Sequence, residues 1–498
     1  MISVLLTLPV VIALFTAIGL FFVRDSHRVS EWVSAISSIF TLIVSWVLGV
    51  TVFEQGPQAV AFGQWPAPFG IVFVADLFSV AMVTVTALIG VVSVFYAMAD
   101  LSHKPAYGLY HMLMHVLLAG VYGAFLTGDI FNLYVWFEVM LIASFALMVT
   151  NARKQQIDGA VKYVVLNLVS TLVFLLAIGL LYGATGTLNL ADLHGKVGRL
   201  SVEIQTSLAA LFLFAFAIKS ALFPLFAWLP GSYHTLPSGV VALFAALLTK
   251  VGVYALMRVF TLVFPLPGSG WQSTLIWVAA LTMLTGVLGA ASQFSIKKIL
   301  SFHIISQIGY MIMGLALYTP LALSGAIFYI VHHIIVKANL FLIGGFLERR
   351  YGSDQLAQLG GVYKAMPWLA VLFLIPAFSL AGFPPLSGFW GKFLVIKASV
   401  ETTYYALATV ALVVGLLTIF SMTKIWSEAF WKASPEARKE ASLPVKIQWL
   451  YCAPIVLLTL ITVLIGLVAE PFYQFALQAA GQLLQPDGYI HAVLGEKE

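Results

Sequence analysis

Roughly fourteen apolar runs follow one another along the chain, each close to the ~20 residues that cross a ~30 Å hydrocarbon core as a helix. Lipid offers no partner to backbone amides and carbonyls, so only helices and closed barrels can span it. These runs are too long and too evenly apolar for barrel strands, which alternate over ~10 residues. The expected fold is therefore an all-α integral membrane protein. Its spans are expected near 2–23, 31–53, 71–97, 107–127, 130–150, 160–183, 206–229, 239–262, 272–292, 298–317, 320–347, 367–396, 403–430 and 447–469. Charged residues make up 9% of the 498, against roughly 25% in soluble domains, and mean hydropathy is +1.01. No hydrophilic stretch is long enough to fold as a soluble domain, and the tail from Pro471 to Glu498 reads as an interfacial or frayed segment.

The first run lacks a basic leader and a small-residue cleavage site, and Arg24 and Arg28 follow it, so it reads as a retained helix. Alternate loops carry Arg24 and Arg28, Lys104, Arg153 and Lys154, Lys297 and Lys298, Arg349 and Arg350, and the basic stretch 431–446. Roughly fifteen basic residues fall on that side and about five on the other, which places these loops in the cytoplasm and both termini outside. The net charge of +5 follows from this asymmetry without any nucleic-acid partner. Cys452 is the single cysteine, so no internal disulfide forms. No metal, P-loop or dinucleotide spacing is present, and the chain is expected to hold no cofactor and to be no enzyme by itself.

Two runs are interrupted by proline beside a lysine. One reads Lys219-Ser-Ala-Leu-Phe-Pro224, the other Gly382-Phe-Pro384-Pro385-Leu-Ser-Gly-Phe-Trp-Gly391-Lys392. Proline removes a backbone donor and clashes with the preceding turn, so each helix should break there. A break at membrane depth is tolerated where it is buried in protein or lines a wet cavity. The interrupted spans are the seventh and twelfth, five apart. That fits two inverted five-helix repeats, spans 4–8 and 9–13, a pattern of secondary transporters. The corresponding divisions are 1–105, 106–263, 264–430 and 431–498.

Ionisable groups within spans are costly and usually functional. Glu138, Lys219, Lys250, Lys337, Lys392 and Lys424 are the deep ones. A carboxylate at the depth of Glu138 needs a counter-charge, and Lys219 is the natural partner. Lys250 stands about eleven residues from either end of its helix, too deep for easy snorkelling, and an ammonium there can release and regain a proton near neutrality. His333 and Lys337 are four apart on one face, as a proton relay requires, whereas His332 reads equally well as a packed core histidine. His111 and His115 share that spacing but lack a third metal ligand, and Lys424 and Glu428 read as a local ion pair. His303 and Asp76 carry no assignment from sequence.

Several of these segments resemble the antiporter-like subunits, which include proton-translocating membrane subunits of respiratory complex I and Mrp-type sodium/proton antiporters. They are Phe137-Glu138-Val-Met, Ala217-Ile-Lys219-Ser-Ala-Leu-Phe-Pro224, Leu247-Leu-Thr-Lys250-Val-Gly-Val-Tyr, Ile305-Ser-Gln-Ile-Gly-Tyr310, His333-Ile-Ile-Val-Lys337 and the stretch ending at Lys392. The resemblance covers roughly residues 70–430, and within the family it is strongest to one subunit type of the Mrp antiporter. It implies fourteen helices with two inverted repeats, Glu138 and Lys219 as a switchable ion pair, and Lys250 as central proton carrier. It further implies His333 and Lys337 as a relay and Lys392 as the outer end of a charged axis, in a chain that works with other subunits. The function expected is proton translocation in a multi-subunit Na+/H+ antiporter. A redox-driven proton-pumping subunit of a complex I-like or hydrogenase complex is the alternative, and a non-transporting scaffold is the third reading. The buried set is mainly cationic, so sodium is expected to cross elsewhere.

Overall fold

Each long apolar run is a helix, because the i→i−4 ladder pairs every backbone group inside the segment. The computed structural model describes residues 2–63, 65–100, 107–150, 153–435 and 445–495. Lys104, residues 436–444 of the basic loop and the division at 105/106 lie outside them.

In chain order the helices are α1 (Ile2–Val23), α2 (His27–Gln55), α3 (Leu77–Asp100), α4 (Tyr107–Leu126), α5 (Ile130–Val149), α6 (Lys154–Thr185) and α7 (Leu190–Val197). Then come α8 (Val202–Lys219), α9 (Trp228–Ser232), α10 (Ser238–Leu262), α11 (Trp271–Ser292), α12 (Ile296–Leu317), α13 (Pro320–Tyr351) and α14 (Val362–Ala365). The last are α15 (Pro367–Ala381), α16 (Ser387–Glu401), α17 (Tyr405–Ile425, continued by a π-helical turn), α18 (Val445–Leu467), α19 (Ala469–Leu484) and α20 (Asp487–Leu494). Among the described residues thirteen helices are long and apolar enough to cross a membrane, and α15 is a shorter apolar helix followed by α16.

The bundle is layered. Every residue of α10 is buried, and α12 and α13 are nearly so, whereas α1, α2 and α6 present much of their surface outward. The central helices are the ones that carry Lys250, His303, His333 and Lys337. The narrow interruption expected between spans 4 and 5 is real. Asp129 caps α5 by accepting from the Asn132 amide at 2.7 Å, and Gly128 donates to the Val72 carbonyl at 2.8 Å.

Two features depart from expectation. The start of the third apolar run is a strand, β2 (Val72–Ala75), paired antiparallel with β1 (Gln58–Ala61) in register Gln58 to Ala75. The tail, described as far as Gly495, is helical rather than frayed and packs into the bundle: α19 lies on α13 and α3, and Gln482 accepts from the Leu77 amide at 2.9 Å. With α7, the hairpin and α20 form a cap over one end of the bundle. The basic residues Arg153, Lys297, Lys298 and Arg349 gather around one cavity at the other end.

Candidate proton-transfer site

Both proline-containing spans break, and they break in the same way. The α8 helix ends at Lys219 with Ala221 in the left-handed region (φ 56), the Ala221 amide on the Ile218 carbonyl and the Leu222 amide on Ala217. The α15 helix ends with Gly382 at φ 94, the Gly382 amide on Ser379 and the Phe383 amide on Phe378. These are the two crossed bonds of a Schellman motif. In each case a proline, Pro224 or Pro385, follows three residues after the left-handed one and prevents the helix from resuming. Trp228 donates to the Ile218 carbonyl at 2.9 Å and Thr282 accepts from the Phe223 amide at 3.0 Å, so side chains satisfy part of the first break.

Lys219 sits in the last turn of α8, where aligned carbonyls favour a cation. Its ammonium donates to Thr171 Oγ1 at 3.2 Å and lies 5.3 Å from the centre of the Phe137 ring. Glu138 is within electrostatic reach of it but not in ion-pair contact, and Glu138 Oε1 has no hydrogen-bond partner among the described residues. The expected pair is thus near but open. Beside it lies a cavity of about 20 Å³, lined by Tyr163, Asn167, Lys219, Trp228 and Leu248, which has room for about one water.

The Lys219 break touches α10 through Gly252. A Cβ at Gly252 would stand 2.6 Å from Ser220 Oγ, 2.8 Å from the Ser220 nitrogen and 2.9 Å from the Lys219 carbonyl carbon. Two residues earlier on α10, Lys250 is fully buried and donates to the Ala245 carbonyl. His333 lies within electrostatic reach of Lys250, Lys337 and Lys392, and neither of its ring nitrogens has a partner among the described residues. Lys337 donates to the Leu300 carbonyl at 3.1 Å. Lys392 reaches back across the second break to the Leu380 and Ala381 carbonyls at 2.9 and 3.2 Å, with the Tyr310 ring 4.5 Å away. His333 and Lys337 thus lie within electrostatic reach of Lys250 and Lys392 on buried helices, and Gly252 of α10 packs against the Lys219 break.

At the basic end, α10 begins in a polar cavity of about 710 Å³ whose lining includes Asp100, His234, Ser238, Lys297 and Glu348. Lys297 pairs with Glu348 at 2.7 Å, and Ser238 Oγ donates to the same carboxylate at 3.0 Å. Burial and the neighbouring Lys298 and Lys162 hold His234 below the usual histidine range, against the Pro230 carbonyl and Asp354.

Residues 127–418 match the family described as NADH:quinone oxidoreductase/Mrp antiporter, TM. The chain belongs to this family. It is 48% identical over 494 residues to the D-type subunit of the Na+/H+ antiporter from Alkalihalophilus pseudofirmus, covering 99% of each chain. It is similar to a chain of the Mrp complex from Dietzia sp., with a TM-score of 0.93 and 35% identity over 99% of each. A chain of respiratory complex I from Thermus thermophilus gives 0.79 and 26%, covering 97% of this chain and 100% of that one.

Packing sets the partners of several other polar residues, and one of them, Lys424, departs from the sequence reading. Lys424 does not pair with Glu428. It caps α11 through the Ala291 and Gln293 carbonyls at 2.7 and 2.6 Å, while Glu428 pairs with Lys432 at 3.1 Å. His111 Nδ1 and His115 Nε2 share Ser34 Oγ at 3.2 and 2.8 Å, which is a packing role. His332 Nδ1 meets Ser387 Oγ at 2.8 Å, as a hydrogen-bonded core histidine would. His303 on α12 is fully buried within electrostatic reach of Lys337, Lys392 and Lys424. Its position in an otherwise apolar run was the available signal. Arg258 and Asp76 form a buried pair at 2.6 Å that sequence reasoning missed, because an arginine near a helix end reads as snorkelling.

Proposed function

We propose that this chain is the D-type member of a multi-subunit Na+/H+ antiporter and carries its protons along Glu138, Lys219, Lys250, His333, Lys337 and Lys392. The reading rests on one observation above the others. Buried lysines and histidines sit on the enclosed helices and at both helix breaks of a chain that matches an antiporter component over its full length. Identity to the complex I chain is much lower, which favours the sodium-linked reading over the redox-driven one.

Protons arrive from the 710 Å³ cavity at the start of α10 and reach Lys250. With Glu138 drawn into contact with Lys219, that ammonium stays protonated; with the contact open, Lys219 releases its proton more readily and biases its neighbours. His333 can accept on one ring nitrogen and release from the other, which suits a relay between Lys250 and the pair Lys337 and Lys392. The matching Schellman termini and prolines in spans 7 and 12 support two inverted five-helix repeats, 106–263 and 264–430, between a three-helix start and a final span with its tail.

The chain is a multi-pass membrane protein, and its Lys and Arg placement supports cytoplasmic basic loops with both termini outside. Its partners are other Mrp subunits and the surrounding lipid. Sodium passes through another subunit or an interface, since sodium prefers clustered oxygens. The test is antiport in inverted vesicles from an antiporter-deficient bacterium that expresses the whole set of subunits. Sodium-dependent recovery of a pH-sensitive dye should vanish in Glu138→Ala with the complex assembled. Undiminished recovery would overturn the role of Glu138.

A further inference from the structure

The two ends of α10 are built differently. At the basic end it opens into the large polar cavity. Eight residues beyond Lys250, about 12 Å along the helix, Arg258 meets Asp76 at 2.6 Å, with side chains 5% and 1% exposed. Asp76 Oδ1 accepts from the Ser79 amide at 2.8 Å, which starts α3, while Oδ2 faces Arg258. Arg258 donates to Tyr254 Oη at 3.2 Å, and that hydroxyl donates to the Phe125 carbonyl at 2.7 Å.

Over this pair lies Tyr489 of α20, its ring centre 5.0 Å from the guanidinium carbon and its side chain buried. Its hydroxyl stands against Gly128, where a Cβ would come within 3.2 Å, so the ring is held between the tail and the loop that starts α5. Asp129 is within electrostatic reach of it.

We propose that the Asp76–Arg258 pair, closed over by Tyr489, is the seal that separates Lys250 from water at the capped end of the chain. The proposal rests on the reading of Lys250 as a proton carrier. Lysine and histidine can pass protons because they exist in both protonation states, but a guanidinium stays protonated and cannot relay. Asp76 accepts from the Ser79 amide through Oδ1 and is held in ion-pair contact with Arg258 through Oδ2, which keeps it a carboxylate and a poor acceptor for a proton arriving from Lys250. A proton on Lys250 therefore leaves sideways toward His333 and Lys337. The C-terminal tail acts as the lid.

The seal predicts a leak. Vesicles holding the whole complex are given a proton gradient without sodium, and its decay is followed with a pH dye. Asp76→Asn with Arg258→Gln replaces the pair by neutral groups of similar size, and Tyr489→Ala removes the ring while both charges stay. Each should raise the decay rate roughly tenfold, the effect of a barrier lowered by about 1.4 kcal/mol. An assembled double variant that holds its gradient as wild type does would overturn the seal. Should the double variant fail to assemble, Tyr489→Ala decides alone, and a wild-type decay rate there overturns it equally. Adding Lys250→Ala separates the two readings. A leak that disappears supports both, whereas a leak that persists bypasses Lys250 and overturns the seal over it, and antiport in Lys250→Ala alone decides the carrier reading separately.

Discussion

Gly252→Ala tests the joint between the two halves of the axis. The new methyl carbon would lie 2.6 to 2.9 Å from Ser220 Oγ, the Ser220 nitrogen and the Lys219 carbonyl carbon. Ordinary contacts to such atoms are about 3.5 Å, so the break has to retreat from α10 by well over half an ångström. Two of the three atoms are backbone, in a turn tied down by the Ser220, Ala221 and Leu222 amides on Phe216, Ile218 and Ala217, and cannot swing aside. Overpacking of this kind costs about 1–3 kcal/mol, and the gain in helix propensity returns about 1. Net stability should thus fall by at most about 2 kcal/mol, which leaves an assembled complex. Transport should suffer more, because a ~1 Å misplacement of reacting groups can cost on the order of 100-fold. The assay is sodium-driven proton movement in inverted vesicles, normalised to assembled complex. Antiport at the wild-type rate would refute the idea that Lys219 and Lys250 exchange protons across this contact.

Burial raises the Asp129 carboxyl to about 6, against opposing amide bonds from Asn132 and Phe131. The folded state therefore favours protonated Asp129, and stability is lost as pH rises from about 4 through about 6. Asp129→Asn keeps an acceptor for the Asn132 amide and should stabilise the solubilised complex by up to about 3 kcal/mol at pH 8 and little at pH 4, read as a shift in thermal midpoint. Ser34→Ala removes the hydroxyl shared by His111 and His115, so it should lower the same midpoint, by about 1–3 kcal/mol, with antiport retained; lost antiport in a stable complex would give those histidines a transport role. Lys392→Met strips the donor from the Leu380 and Ala381 carbonyls and should abolish antiport in an assembled complex. Full activity there would reduce Lys392 to a cap on the α15 terminus.

The spans were legible because lipid imposes one length and one secondary structure, and the expected ends of α1, α4, α5 and α10 fall within a residue or so of the observed ones. The breaks at Pro224 and Pro385 were legible because proline's missing donor acts locally. The cap was not. The β2 strand is as apolar as the helix it precedes, so nothing in the pattern separated Val72–Ala75 from α3. Tyr489 could not be linked to Arg258 from sequence, because the contact joins residues more than two hundred positions apart. For Lys424 the i, i+4 rule offered Glu428, yet the carbonyls at the end of α11 were nearer, and Glu428 took Lys432 instead. Local rules found the charged residues; tertiary packing chose their partners.

The most direct measurement follows both ions at once in Lys250→Ala. Inverted vesicles bearing the assembled complex would be assayed for radioactive sodium uptake and for dye-reported proton movement in the same preparation. Loss of sodium-coupled proton movement together with net sodium uptake, against an intact wild-type response, is the expected result. Coupled exchange that continues at the wild-type rate without the Lys250 ammonium would contradict a proton path through the centre of α10.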